Sequence, residues 1–255
     1  MTDSTDPAQP PLTRLLAIMA RLRDPIAGCD WDIGQRWETI APYTIEEAYE
    51  VADAIERGNP DAVRDELGDL LFQVVFQSRI AEEAGLFGFD DVATGIADKM
   101  ERRHPHIFSD ATDRPDWEAI KAAERSDKEA DAGTLAGVAL GLPALQRAEK
   151  LQKRAARVGF DWPDATGPRA KIDEELAEIA VASEAERADE IGDLLFSVVN
   201  WSRHLGIDAE AALRRANAKF ERRFIEMERQ AGPGFAGLDL TAKEERWQDA
   251  KRSVG

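Results

Sequence analysis

Two clusters of carboxylates, repeated in the same order, carry the chemistry of this sequence. Glu46-Glu47-Ala48-Tyr49-Glu50 is followed after fifteen residues by Glu66-Leu67-Gly68-Asp69, and Glu174-Glu175-Leu176-Ala177-Glu178 is followed after eleven by Glu190-Ile191-Gly192-Asp193. Acids three or four apart on a helix share one face, so each half presents acidic pairs from two consecutive helices. Carboxylates crowded beside apolar side chains repel one another unless a cation neutralises them. Ligand sets made only of oxygen suit hard divalent ions such as magnesium, which in turn bind phosphate chains. The chemistry implied is metal-dependent work on a phosphate ester or anhydride.

Each feature has a plainer reading. Glu-rich helices usually present solvated faces, and Thr44-x-x-Glu47 fits a capping box that gives Glu47 a local task. Against this, Asp69 and Asp193 each precede Leu-Leu-Phe and a pair of valines. An acid in so apolar a helix is expected to be at least partly buried and to need a partner. A cation is the economical one, with Arg64 or Arg79 as alternatives in the first half. Lys99 with Arg103, and Lys219 with Arg223, stand four apart and suit either an ordinary helix C-terminus or phosphate oxygens opposite a metal. Trp31 and Trp162, expected in Gly/Asp loops, and Trp117 and Trp247, expected after the last helix of each unit, read first as packing anchors; an aromatic ring near such a site can also stack on a base. Glu101-x-x-His104 has the spacing of di-iron bundles, but Phe224 stands where the second half needs a histidine, so the oxidase reading fails.

The elements that must position these groups are helical nearly throughout, because apolar residues recur at helical spacing and no alternating strand is found. Leu12, Leu15, Leu16, Met19 and Leu22 form one stripe. Thr44 reads as the N-cap of a helix ending near Gly58, and Asn59-Pro60 opens a long helix that stops at Gly85. Asp90 begins another, ended by His104-Pro105. The second half repeats the order: a helix from Pro143 to about Val158, one after Pro168, one through Asp193 to His204, and one from Asp208 to about Gln230. Gly28-Cys29-Asp30-Trp31 answers to Gly159-Phe160-Asp161-Trp162, Gly68-Asp69-Leu70-Leu71-Phe72 to Gly192-Asp193-Leu194-Leu195-Phe196, and Trp117 with Lys121 to Trp247 with Lys251. The expectation is an all-α tandem duplication, with units at 12–125 and 142–255 joined by a Gly/Ala-rich, charged stretch at 126–141.

Composition narrows the function. A net charge of −17 over 255 residues opposes a grip on nucleic-acid polymer but not on a small nucleotide, because a bound metal inverts the local sign. One cysteine, Cys29, allows no internal disulfide and no zinc finger. The polar, Pro-rich start carries no apolar core, and no run approaches a membrane span, so a cytoplasmic soluble protein is expected. No phosphate loop, nucleophile elbow or Rossmann fingerprint appears.

With both acid motifs, their order and their flanks in place, the chain resembles the MazG family of the all-α nucleoside triphosphate pyrophosphohydrolases from about Leu12 to Lys251. That family's signature is Glu-Glu-x-x-Glu, a gap, then Glu-x-x-Asp. The resemblance implies magnesium-dependent hydrolysis of nucleoside triphosphates between the α and β phosphates, with manganese as a substitute ion, in a homodimer. It implies metal ligands Glu47, Glu50, Glu66 and Asp69 in the first half and Glu175, Glu178, Glu190 and Asp193 in the second. It further implies nucleotide contacts from Lys171, Glu174, Lys219, Arg223 and Trp247, and Glu174 or Glu175 as the residue orienting the attacking water. Two departures stand out. Glu186, with Arg187 beside it, falls where relatives carry a lysine, and no proline follows Cys29. A nucleotide-binding regulator with a degraded site, and a non-catalytic helical scaffold, are the competing classes.

Overall fold

Helix ends follow local chemistry closely enough to set the frame of the site. The computed structural model describes residues 8–109, 120 and 133–254, and every regular element among them is helical. The chain divides into two compact units, residues 1–124 and 125–255.

The first unit contains α1 (Pro11–Leu22), the short α2 (Asp30–Gly34), α3 (Trp37–Glu56), α4 (Pro60–Glu83), α5 (Phe89–Arg103) and α6 (Pro105–Phe108). Between α3 and α4 the chain turns at Gly58, whose φ of 66° suits a residue without Cβ. Asn59 then caps α4 by accepting the N–H groups of Asp61 and Ala62, and Pro60 occupies the first helical position, where no N–H is missed. The resulting hairpin of α3 against α4 is what brings the two acid motifs of this half together. Behind it, Met19, Ile40, Val75 and Phe76 form the buried core, with Leu15, Leu16, Phe72, Ile80 and Phe89 against them. Arg23, only 8% exposed, ties the ends of three helices. Its guanidinium donates to Glu83 on α4 at 2.7–3.1 Å and to the backbone carbonyls of Asp32 and Gln35.

The second unit contains α7 (Ala144–Arg157), α8 (Thr166–Val181), α9 (Arg187–His204), α10 (Ala209–Ala231), a 3-10 turn (Gly232–Gly237) and α11 (Leu240–Val254). Helix α8 packs on α9, α7 packs on α9 and α10, and α11 packs on α10. Asp208 caps α10 by accepting the N–H of Ala211.

Three expectations need correction. Thr44 is not an N-cap: α3 starts seven residues earlier, at Trp37, where Thr39 accepts the Arg36 N–H at 2.9 Å. Pro42, in the second turn of that helix, supplies no N–H to the Glu38 carbonyl, and the Thr44 hydroxyl instead accepts from the Gln77 amide at 2.6 Å. Glu47 therefore has no capping role. Trp247 does not follow the last helix of its unit but lies within α11, whose polar sequence hid it, and Trp31 lies in α2. The helix expected after Pro168 already begins at Thr166. Trp117, Lys121 and residues 126–132 fall outside the described residues.

Candidate metal and phosphate site

Helix α8 carries Lys171, Glu174, Glu175 and Glu178 within two turns, and its partner α9 carries Glu190 and Asp193. Packing of the two helices brings one carboxylate oxygen each from Glu175, Glu190 and Asp193 within 4.8 Å of one another. Glu175 is the buried member, 2% exposed. Its Oε1 lies 2.7 Å from Lys171 Nζ, while its Oε2 is shut away from solvent with no hydrogen-bond partner. Lys171 also reaches Glu174 Oε1 at 2.9 Å. The hydrogen bonds that the ammonium donates to Glu175 first, then to Glu174, push its pKa up, so Lys171 stays charged. Glu178 lies outside the closest group of three. Its carboxyl is raised from the ordinary 4.5, chiefly by desolvation; Lys171 pulls it down while Glu175, Glu190 and Glu174 add repulsion.

The first half builds a similar group with no internal cation among the described residues. One oxygen each from Glu47, Glu66 and Asp69 lie within 4.8 Å. Glu50 stands close enough to Glu47 and Glu66 for its carboxylate to repel both. Glu47 and Glu66 are both pushed above 4.5, first by desolvation and then by neighbouring carboxylates. Neither suggested arginine serves this group: Arg64 pairs with Asp61 and Asp65, and Arg79 pairs with Glu82 and Glu83. Tyr43 stands three residues before Glu46, where Lys171 stands three before Glu174.

The expected partial burial of Asp69 and Asp193 is not found, since both are exposed; Glu175 is the acid that the fold encloses. The Leu-Leu-Phe run misled because Leu67, Leu71, Leu195 and Phe196 are themselves exposed. An apolar helix buries an acid only where that apolar face is covered.

Both groups suit a hard divalent cation. The donors are all carboxylate oxygens, spaced so that a small inward movement meets the roughly 2.1 Å bond length of magnesium. The unpartnered Glu175 Oε2 is the decisive atom, because a buried carboxylate oxygen without a donor is costly unless a cation takes it.

Comparison with known proteins agrees with this chemistry. Residues 35–108 match the family model described as the MazG nucleotide pyrophosphohydrolase domain. The chain is 50% identical to the nucleoside triphosphate pyrophosphohydrolase of Escherichia coli (strain K12), over 94% of this chain and 97% of that protein. It is 43% identical to the nucleoside triphosphate pyrophosphohydrolase/pyrophosphatase MazG of Thermotoga maritima, over 93% of this chain and 94% of that one. A nucleoside triphosphate pyrophosphohydrolase of Mycolicibacterium smegmatis is 32% identical over 80% of this chain and 61% of its own length. The chain belongs to the MazG family.

Around the acids of this MazG-family chain, the basic and aromatic candidates divide. Lys219 and Arg223 lie on α10, which packs against α9, and no ion pair joins them to the acid cluster. The Arg223 guanidinium sits 5.7 Å over the Trp247 ring, and its Nε is buried without a partner. Trp247 also packs on Phe220 at 5.4 Å. Glu186 does not point to a ligand: its carboxylate accepts the Ser183 N–H and hydroxyl at 3.1 and 2.6 Å, closing the turn into α9. Sequence reading passed over Asp161, which accepts from Arg203 and from His204 and whose pKa these bonds lower, Arg203 foremost. The signal was there, in an acid of a repeated Gly-x-Asp-Trp loop, but its partners lie more than forty residues away.

Proposed function

We propose that this chain is a magnesium-dependent nucleoside triphosphate pyrophosphohydrolase that cuts between the α and β phosphates, releasing a nucleoside monophosphate and pyrophosphate. The observation that carries the reading is the meeting of Glu175, Glu190 and Asp193, with one buried Glu175 oxygen left over for a cation. Glu178 completes this ligand set, and Glu47, Glu50, Glu66 and Asp69 form its counterpart in the first of two tandem domains (12–125 and 142–255). Magnesium, or manganese in its place, supplies charge neutralisation to the phosphate oxygens and polarises water.

The chain's own residues do the rest. Lys171 fixes Glu175 and keeps Glu174 turned to the same site. Glu174 is exposed and bonded through only one of its oxygens, so it is the better placed of the two to orient the water that attacks phosphorus in line. A bond forms from that water's oxygen to the α phosphorus as its proton passes to Glu174, the bond from the α phosphorus to the bridging oxygen breaks, and pyrophosphate departs. Lys219 and Arg223 offset the negative charge that remains, with Trp247 behind the guanidinium.

The exposed apolar side chains of α8, α9 and α10, among them Leu176, Ile191, Leu195, Phe196 and Phe220, suit helix packing in a homodimer. A cytoplasmic location accords with a single cysteine, and no helix among the described residues is long and apolar enough to cross a membrane. A pyrophosphate-release assay over a panel of ribo- and deoxyribonucleoside triphosphates, with and without magnesium, tests the reading. Asp193→Ala and Glu178→Ala are each expected to lower the rate by more than about a hundredfold; unchanged turnover in the double variant would remove the second acid cluster from catalysis.

A further inference from the structure

The two halves keep the same acids but not the same space beside them. Seven residues on from the last acid of each motif, two helical turns along one side of the helix, stand Asn200 in α9 and Phe76 in α4. Asn200 lines a cavity of about 410 Å3 with Phe160, Trp162, Phe196 and Arg203, a volume in the range of small-molecule pockets. The second unit thus has room for a nucleoside whose phosphates lie on Glu175, Glu190 and Asp193.

In the first unit the ring of Phe76 fills the corresponding place. It is 1% exposed and belongs to the core with Met19 and Ile40. Trp31, the counterpart of Trp162, packs edge-on against it at 6.4 Å, and Phe72 does the same at 5.8 Å. The Arg23 guanidinium lies over the ring at 5.4 Å and is itself held by Glu83 and by the carbonyls of Asp32 and Gln35. Trp31 is braced in turn by Tyr43 at 6.1 Å. A ring enclosed on these sides at the density of a protein interior leaves no void for a second ring. Cys29 also stands where the second half has Phe160. Yet Glu47, Glu66 and Asp69 keep the spacing of metal ligands.

We propose that Phe76 makes the first acid site indifferent to the nucleoside, so that this site takes a metal-bound phosphate chain as such, inorganic pyrophosphate and tripolyphosphate included; the proposal rests on the metal reading of the acids given above. A divalent ion held by carboxylates on one side keeps open positions that phosphate oxygens fill. With the neighbouring space occupied by Phe76, base and ribose stay in solvent and add nothing to affinity. Selectivity for nucleotides belongs to the second unit alone. The first responds to the total of metal-bound phosphate chains, among them the pyrophosphate that the second unit releases.

The test uses the full chain carrying Glu190→Ala and Asp193→Ala, which leaves the first cluster as the metal site. Calorimetric titration in magnesium compares the α,β-methylene analogues of ATP, of UTP and of methyl triphosphate, which has the same charge and no base. The three dissociation constants are expected to agree within about threefold, and the binding is lost when Glu66→Ala and Asp69→Ala are added. The mirror protein, with Glu66→Ala and Asp69→Ala alone, is expected to bind both nucleotide analogues at least about tenfold tighter than the methyl analogue. A tenfold preference for a nucleotide at the first site, or no magnesium-dependent binding of the methyl analogue there, overturns the proposal. Phe76→Ala in the first protein opens the space, and the ATP analogue then gains several-fold on the methyl analogue; equal constants in a folded variant remove Phe76 from the role. Because Phe76 is a core residue, the comparison with Phe76 intact decides if that variant does not fold. Pyrophosphate release by the wild type is read separately: its absence defeats the activity reading, while the titrations still decide the first site.

Discussion

Lys171→Met probes the internal cation of the second acid cluster. In the native chain the ammonium lies 2.7 Å from the buried Glu175 Oε1 and 2.9 Å from Glu174 Oε1. Taking one partner from a fully buried ion pair costs about 3–5 kcal/mol. Lys171 is 39% exposed, so solvent already screens part of the attraction, and a charge-assisted hydrogen bond is worth about 1.5–3 kcal/mol. The net loss expected without metal is about 2 kcal/mol, because Glu175 is left as an enclosed carboxylate with neither oxygen paired. For a unit of this size that corresponds to a fall in Tm of about 8 °C. Magnesium changes the balance. A divalent ion on the acid cluster supplies the counter-charge that the substituted thioether cannot, and the deficit in saturating magnesium shrinks to less than half. Calorimetric melting of wild type and variant at neutral pH, with magnesium and with a chelator, measures both numbers. A deficit of the same size in both conditions would refute the placement of Glu175 in a metal site, and no deficit at all would refute the ion pair.

Raised carboxyl pKa values in the first cluster give a pH signature. Glu47 and Glu66 hold their protons above 4.5 because of desolvation and neighbouring acids; their contribution to stability is present below 4.5 and is lost as pH rises through the raised folded values. The magnesium-induced gain in Tm should therefore grow as pH climbs above 4.5 and then level off, and a gain independent of pH would contradict this. Gly167→Ala is expected to cost about 1–3 kcal/mol, because a Cβ there comes within 2.4 Å of Trp162 Cδ2 and Cε3; an unaltered melting curve and Trp fluorescence would show that the ring is not seated there. Arg23→Leu should destabilise the first unit by about 3 kcal/mol, since it strips Glu83 of a 2.7 Å partner at a site where the guanidinium is 8% exposed. Chemical denaturation of the variant reads this directly.

What the sequence made legible, and what it hid, follows from how far each interaction reaches along the chain. The hairpin from α3 to α4 was readable because Gly58, Asn59 and Pro60 specify a turn, a cap and a first helical position within three residues. The carboxylate clusters were readable because spacing of three on a helix fixes a shared face before any tertiary contact forms. Burial was not. Glu175 is enclosed while Asp193, next to the Leu-Leu-Phe run, is exposed, because burial depends on which face a partner helix covers. Thr44 was misread for a related reason: Arg36 and Thr39 start α3 earlier, and a Thr-x-x-Glu pattern inside a formed helix has no free N–H groups to cap. The Asp161–Arg203–His204 contacts were hidden by separation alone.

The two acid clusters also show why the same motif need not have the same electrostatics. Glu47, Glu50, Glu66 and Asp69 have no lysine or arginine paired with them among the described residues, and their mutual repulsion appears directly in the raised Glu47 and Glu66 carboxyls. In the second cluster a lysine one turn before Glu175 converts part of that repulsion into attraction and allows an acid to be buried almost completely. Tyr43 offers no such charge. One side chain, three residues before the first acid of each motif, thus decides whether the cluster carries a permanent internal counter-ion. It also decides how much of the site's order survives when no metal is bound. Lys171 keeps Glu175 positioned by itself, whereas the first cluster has only protons with which to relieve its charge.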